Sequence, residues 1–332
     1  MAVSFALRGD SQVSIQTQKR VKKIAERLGY QKNPIVAELM VRLRTSTENR
    51  YQATLGLINV NEDQNAFARH PTLPTYVRGI RAAAKRQGYT LDSFWLGDPE
   101  FTPERFIRIL KTRNIRGLLL VGLMNKNRLP LGYRKIWENF SCVVTGVRTH
   151  EPTLSFACVD HHAVAMLAFE KALEQGYSRP ALVLDDVIDT LIERRFSAGV
   201  LVAQSRILQK NRIPAFFKVR EADQDPKIFE EWMKQHQPDC IITLYHRIRG
   251  WLEKMRYRIP DEIGLIQLEW REDHSDWAGI HQHNDQVGAA AVSMLIQQIH
   301  EDRKGIQEYP AATLIQGSWK SGKTVRNPVY NS

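Results

Sequence analysis

Seven short apolar runs, separated by segments of helical periodicity, constrain this 332-residue chain more than any other feature. The runs are TLGLINV (54–60), GLLLVG (117–122), CVVTG (142–146), PALVLD (180–185), AFFKV (215–219), CIITL (240–244) and IGLIQLE (263–269). Between them lie TYVRGIRAAAKRQG, PERFIRILKTRN, HAVAMLAFEKALEQG and DPKIFEEWMKQH, whose apolar residues recur at helical spacing. A strand apolar on both faces must be covered on both faces, and crossover helices supply the cover. The pattern therefore predicts α/β architecture with doubly wound parallel sheets. The roughly 280 residues involved exceed what a single core serves, so two lobes are expected. Ligands of such sheets sit at the carboxyl ends of strands, here in a cleft between the lobes.

The first 50 residues have a different texture. They hold ten Lys or Arg against four acids, a surplus of six in a chain whose net charge is +11. Residues 14–29, SIQTQKRVKKIAERLG, read as one amphipathic helix with Ser14 as N-cap and Gly29 as C-cap. Val21, Ile24, Ala25 and Leu28 form its apolar stripe, and Lys19, Lys22, Lys23 and Arg27 face the other way. AVSFALRG ahead of it and NPIVAELMVRLR after it read as short helical pieces, and TSTENRYQAT reads as a polar linker. A basic head on a nearly balanced body points to a polyanion partner, against the plainer alternative of a solvated basic helix.

Other readings fall away. No apolar run reaches the length of a membrane helix, and MAVSFALRGDSQVS lacks the apolar core of a secretory signal, so the expected location is the cytoplasm. Cys142, Cys158 and Cys240 are too few and too scattered for a disulfide framework or a metal clip, and are expected to be buried free thiols. His281-x-His283 has no HExxH or CxxC beside it, so no metal and no cofactor is expected. Asp185-Asp186, just past a strand, suits a cleft residue or a helix cap as well as catalysis. No nucleophile elbow and no dinucleotide turn occurs, so the chain is not expected to be an enzyme.

The string VSFALRGDSQVSIQTQKRVKKIAERLGYQKNP resembles the DNA-binding headpiece of the LacI-type transcription factors, the lactose and galactose repressors. The match runs through Val3, Ser4, Ala6, Leu7, Val13, Ser14, Thr17, Arg20, Val21, Ala25, Leu28, Gly29, Tyr30, Asn33 and Pro34. Val159-Asp160, GYSRPALV, IPDEIGLI and GIHQHNDQVGAAAVSMLIQQI resemble landmarks of the family's effector domain in order and spacing. The resemblance implies a two-lobed, periplasmic-binding-protein-like effector domain of two doubly wound sheets, preceded by a partial helix-turn-helix headpiece. The expected boundaries are 1–50 for headpiece and hinge helix and 51–332 for the effector domain. Lobe 1 then covers about 54–148 plus 281–305, and lobe 2 about 155–278 plus 310–325.

The same resemblance implies a ligand-responsive repressor, acting as a homodimer on operator DNA, with Val3, Ser4, Phe5, Arg8, Ser14, Thr17, Arg20, Tyr30, Asn33 and Leu39 at the DNA. NPIVAELMVRLR is similar to the hinge helix whose leucine, here Leu39, wedges into the minor groove. The family headpiece opens with a further helix that would precede Met1, so either the chain starts at an internal methionine or the product does not read DNA by itself. Operator binding is expected only if that helix is present in the native protein. The alternative is a stand-alone sugar-binding protein with no DNA role.

For the effector, implied to be a saccharide, the expected residues are Asn59, Asn61, Tyr76, Arg195, His246, Glu269 and Trp270. Arg195 stands near the family's arginine position, and Glu269 in IQLEW aligns with its acidic sugar-binding position. Leu244-Tyr245-His246 departs from the family's Asn-Asp at that strand end.

GSWKSGKT (317–324) matches the P-loop pattern. Such a loop must open a helix, yet only VRNPVYNS follows Thr324. It resembles instead the G-x-W-x-x-G-x-T segment that ends the family's last strand, so it is expected to be the closing strand and turn of the second lobe.

Overall fold

The computed structural model describes residue 6, residues 13–27 and residues 53–327. Helix α1 (Ile15–Arg27) is the predicted basic helix. The Ser14 hydroxyl accepts from the Thr17 backbone N–H at 3.3 Å, which is the expected N-cap. Lys19, Arg20, Lys22, Lys23 and Arg27 are exposed, while Val21 and Ala25 are half-buried. The expected C-cap at Gly29, the hinge helix, and Val3, Ser4, Phe5, Arg8, Tyr30, Asn33 and Leu39 lie outside the described residues.

The remainder forms two sheets. The first holds β1 (Thr54–Asn59), β2 (Thr90–Trp95), β3 (Ile115–Val121), β4 (Ser141–Thr145), β5 (Ser155–Val159) and β10 (Ala312–Ile315), in the order β10-β5-β4-β3-β1-β2. All its pairings are parallel. The second holds β6 (Pro180–Val183), β7 (Cys240–Thr243), β8 (Gly264–Gln267), β9 (Ala278–His281) and β11 (Ser318–Lys320), in the order β11-β9-β8-β7-β6. Only β11 runs antiparallel, against β9. Strands β4, β7 and β8 are buried along their whole length, and β3 everywhere but at Arg116, as continuous apolar runs require.

The longer helices of the body are α2 (Leu73–Arg86), α3 (Pro103–Thr112), α4 (His161–Glu174), α5 (Arg195–Gln204), α6 (Lys227–His236), α7 (Arg247–Lys254) and α8 (Asn284–His300). Their starts are fixed locally. Thr102 caps α3 by accepting from Arg105 N–H at 3.3 Å, and Asp160 caps α4 by accepting from Ala163 N–H at 3.1 Å. Helices α2 and α8 pack through glycine. A Cβ on Gly79 would stand 1.9 Å from the Asp285 carbonyl oxygen, and one on Gly288 would stand 2.3 Å from that of Tyr76.

Three expectations change. Strands β5 and β10 belong to the first sheet, although the expected boundaries assign residues 155 onward and 310–325 to the second lobe. Val143 faces Ser155, and Phe156 faces Ala312, so backbone pairing holds both strands beside β4. The chain therefore passes between lobes three times, after Val159, His281 and Ile315. AFFKV (215–219) is no strand. Its buried positions Phe216 and Val219 continue to Ala222 at a spacing of three, and the chain touches β6 only through isolated bridges before the short helix Val219–Gln224. Strand β2, TLDSFW, escapes the apolar pattern because it is an edge strand carrying Asp92 and Ser93.

The GSWKSGKT segment supplies β11 and a turn against the second sheet, as expected. A Cβ on Gly322 would lie 2.1 Å from the Trp277 carbonyl carbon. The buried Thr324 hydroxyl donates to the Leu265 carbonyl at 2.7 Å and accepts from Ala278 N–H at 2.9 Å. A phosphate site needs that hydroxyl free for a metal ion, and here the fold uses it.

Candidate functional site

A cavity of about 760 Å³ opens between the lobes at the carboxyl ends of their strands. Leu123 follows β3, Gly146 and Val147 follow β4, Asp185 follows β6, Leu244 to Arg247 follow β7, and Glu269 follows β8. The start of α2 brings His70, Thr72 and Tyr76, and the short helix Val219–Gln224 brings Arg220 and Asp223. Ile188, Leu191, Ile192 and Phe196 make one wall apolar.

The polar side consists of three arginine–carboxylate pairs. Asp185 accepts from the Tyr245 hydroxyl at 2.8 Å and the Arg220 backbone N–H at 3.0 Å, with Arg220 Nε at 3.6 Å. Asp223 pairs with Arg247 at 2.9 Å, and the Arg247 guanidinium lies 4.5 Å from the centre of the Tyr245 ring. Glu269 accepts from Arg271 at 2.9 Å, from Thr72 at 3.1 Å and from the Asn284 side-chain amide at 2.8 Å. Three positive groups meet three negative ones, so the cleft carries no net charge from these pairs while presenting a dense set of donors and acceptors. Burial, reinforced by Asp185, raises the pKa of Tyr245 and keeps its hydroxyl a donor.

Histidines in the cleft are neutral. Burial pushes His161 down to about 3, helped by the nearby Arg195 charge. Its ring packs edge-on against Phe196 at 5.0 Å, and its Nδ1 is buried without a hydrogen-bond partner in the protein. His246, pushed down to about 4 by burial and then by His274 and Arg271, stands 3.7 Å from the His274 ring. Burial also lowers His70, against the pull of Glu269. His161, His246 and Arg271 line the cavity, and each also carries a buried nitrogen without a hydrogen-bond partner in the protein.

A second cross-lobe contact flanks the cavity. Glu193 lies 3.0 Å from His150 and 3.5 Å from Arg148 of the first lobe, and 3.0 Å from Arg195. Glu193 and Arg194 both have left-handed backbone, φ +60°, a conformation that costs non-glycine residues about 1 kcal/mol each.

Of the residues expected from sequence, Tyr76, His246 and Glu269 come together at the cavity. Asn59 does not. Its buried amide donates to the carbonyls of Asp63 and Gln64. Asn61 is likewise occupied with Gly122 O and Asp63 N–H, so both asparagines build the loop after β1. Arg195 turns to Glu193 and the face of Phe156, in a small crevice beside the main cavity. Trp270 donates its indole N–H to Trp277 O at 3.1 Å and is covered by Lys320. Sequence reasoning misses Arg220 and Asp223 because 215–219 reads as a strand. It also misses Arg247 and His161. Arg271 carries a signal, standing two residues beyond Glu269.

At the head, Thr17 Oγ1 lies 2.9 Å from Ser14 Oγ and Arg20 is exposed. His281 and His283 meet at 2.9 Å between their Nδ1 atoms, and His283 reaches Ser318 at 2.8 Å. Among the described residues, no group of three or more metal-ligating side chains converges, and no helix is long and apolar enough to cross a membrane. The three cysteines are free and buried, and burial pushes the Cys158 thiol up to about 12.

No protein-family model matches the chain. The HTH-type transcriptional regulator MalR of Streptococcus pneumoniae is 22% identical over 181 residues, covering 54% of this chain and 52% of that protein. The chain thus matches about half the length of this curated relative. Among solved structures, the lac repressor dimer bound to operator and the anti-inducer ONPF aligns with a TM-score of 0.62 at 16% identity, over 98% of this chain and 95% of that one. The CelR–cellobiose complex aligns with a TM-score of 0.59 at 17% identity, over 97% and 94%. A LacI-family regulator from Rhizobium etli aligns with a TM-score of 0.61 at 15% identity, over 83% and 100%. The chain has the two-lobed fold of the LacI-type transcriptional regulators.

Proposed function

We propose that this chain is a LacI-type, ligand-responsive DNA-binding transcriptional regulator, a repressor whose inter-lobe cleft takes a neutral saccharide. The observation that carries the reading is the charge-balanced cleft, lined by three arginine–carboxylate pairs together with the apolar side chains of Ile188, Leu191, Ile192 and Phe196. A sugar offers hydroxyls for bidentate forks on one face and C–H groups for the wall on the other, with no charge to neutralise. The lac repressor dimer on operator and the CelR complex with cellobiose support the same assignment by shared fold.

Sugar in the cleft binds one inter-lobe angle better than another, and a two-fold dimer carries the difference to the basic head and a palindromic operator. The reading makes the protein cytoplasmic and non-enzymatic. A thermal-shift screen of mono- and disaccharides, with purines as the competing class, tests it. A sugar that binds stabilises the fold by mass action, and failure of every sugar overturns the ligand assignment. Selection from random duplex by a version of the chain extended upstream through the missing headpiece helix tests the regulator, and no enriched sequence would overturn it.

A further inference from the structure

Six parallel strands share an orientation in the first sheet, so their starts lie together at the end opposite the cleft. Thr54, the first residue of β1, sits beside Thr90 and Ile115, the first residues of β2 and β3. The chain arriving from its basic first 50 residues enters the body at this end. Helices α2 and α3 finish here, each turning back into a neighbouring strand, and place Lys85, Arg86 and Lys111 in their last turns. Arg116, the second residue of β3, is exposed at the same end although the other β3 residues are buried.

Three acids of this end are already engaged, while Glu308, exposed ahead of β10, is not among the ion pairs. Asp92 pairs with Arg113 at 3.2 Å, Glu301 with Arg303 at 2.8 Å and Asp302 with Lys304 at 2.8 Å. Among the described residues, Lys85, Arg86, Lys111 and Arg116 have no carboxylate partner. A base in a helix's last turn answers that helix's own dipole. That accounts for single residues at α2 and α3, but not for Arg116 on a strand or for a doubled base at 85–86. Four uncompensated cations at one end make a local positive field, aligned with the entry of a segment that itself carries a surplus of six.

We propose that the strand-start end of lobe 1 is a second polyanion surface, in which Lys85, Arg86, Lys111 and Arg116 touch phosphates of the duplex that the basic head engages. This surface rests on the DNA-binding reading above. It adds sequence-independent phosphate contacts, which raise affinity and salt dependence without choosing bases.

The test measures binding of the full chain to a mixed-sequence duplex several helical turns long, by fluorescence anisotropy across a salt series. K85Q/R86Q and K111Q/R116Q are made separately, with K234Q/K254Q on the second lobe as control. Each strand-start variant is expected to flatten the slope of log K against log salt by roughly 0.9 for every phosphate it no longer neutralises, and to weaken low-salt binding about tenfold. The control should stay within twofold of the parent, and unchanged melting curves establish that the variants fold. Binding by the parent with unchanged slopes in both strand-start variants overturns this inference and leaves the regulator reading standing, with an acidic protein as the surface's partner instead. Absence of duplex binding by the parent, even at low salt, overturns both.

Discussion

The Thr72 hydroxyl of the first lobe donates to the Glu269 carboxylate of the second at 3.1 Å. The same carboxylate accepts from Asn284 at the start of α8 and from Arg271, so one side chain ties both lobes and a crossing segment together. A ligand hydroxyl that takes Glu269 must compete with Thr72, which couples occupancy of the cleft to the angle between lobes.

Glu269→Ala is expected to cost about 2 kcal/mol in urea unfolding, because Arg271 and Asn284 lose their shared acceptor in a mostly buried site. Thr72→Val removes only the cross-lobe bond and should cost about 1 kcal/mol or less. Its larger effect should be a more open molecule in small-angle scattering, and an unchanged radius of gyration would refute the tie.

Acid should destabilise the fold through His161. Its folded pKa of about 3 lies below the ordinary 6.5, so between those values the unfolded chain binds a proton that the folded chain refuses. That contribution is intact above pH 6.5 and falls by about 1.4 kcal/mol per pH unit on the way to pH 3. His246 acts in the same direction more weakly, since part of its ring meets solvent. Urea midpoints between about pH 7 and pH 4.5 should fall less steeply for His161→Leu than for the parent.

Thr324→Val should cost about 2 kcal/mol, because the Leu265 carbonyl and the Ala278 N–H both lose a buried partner. Lys323→Ala should be nearly neutral, since only the Lys323 backbone N–H is used, bonded to Asp276 O. ATP with magnesium should leave the melting temperature of all three proteins unchanged. A shift on ATP addition that Lys323→Ala abolishes would restore the P-loop reading.

Gly79→Ala should destabilise by about 3 kcal/mol, because its Cβ meets the Asp285 backbone rather than a movable side chain. Gly250→Ala, where a Cβ meets nothing within 4 Å, is the matched control and should stabilise helix α7 slightly. Denaturant midpoints of the pair decide this.

Much of the architecture was legible because burial on both faces writes a strand as a continuous apolar run. β1, β3, β4, β6, β7 and β8 all carry that signature. The cleft was legible only at Tyr76, His246 and Glu269. Asn59, Asn61 and Trp270 have the right chemistry at the right strand ends, yet backbone partners occupy their polar groups. Nothing in one dimension tells a side chain committed to its own loop from one left facing a cavity.

By itself the sequence determined the two-sheet α/β class, the basic capped helix α1 and the structural role of GSWKSGKT. The first two depend on periodicity and capping, which are local, and the third on the spacing of Gly317, Trp319, Gly322 and Thr324 in the segment itself. Tertiary structure alone decided that β5 and β10 join the first sheet, that the lobes connect through three crossings, and that Arg220, Asp223 and Arg247 complete the cleft. Those facts depend on which strand edges pair and which charges the fold brings together from distant parts of the chain, as it does Asp185 and Arg220. Pairing energies of that kind are set by the assembled sheet and leave no pattern in the neighbouring residues.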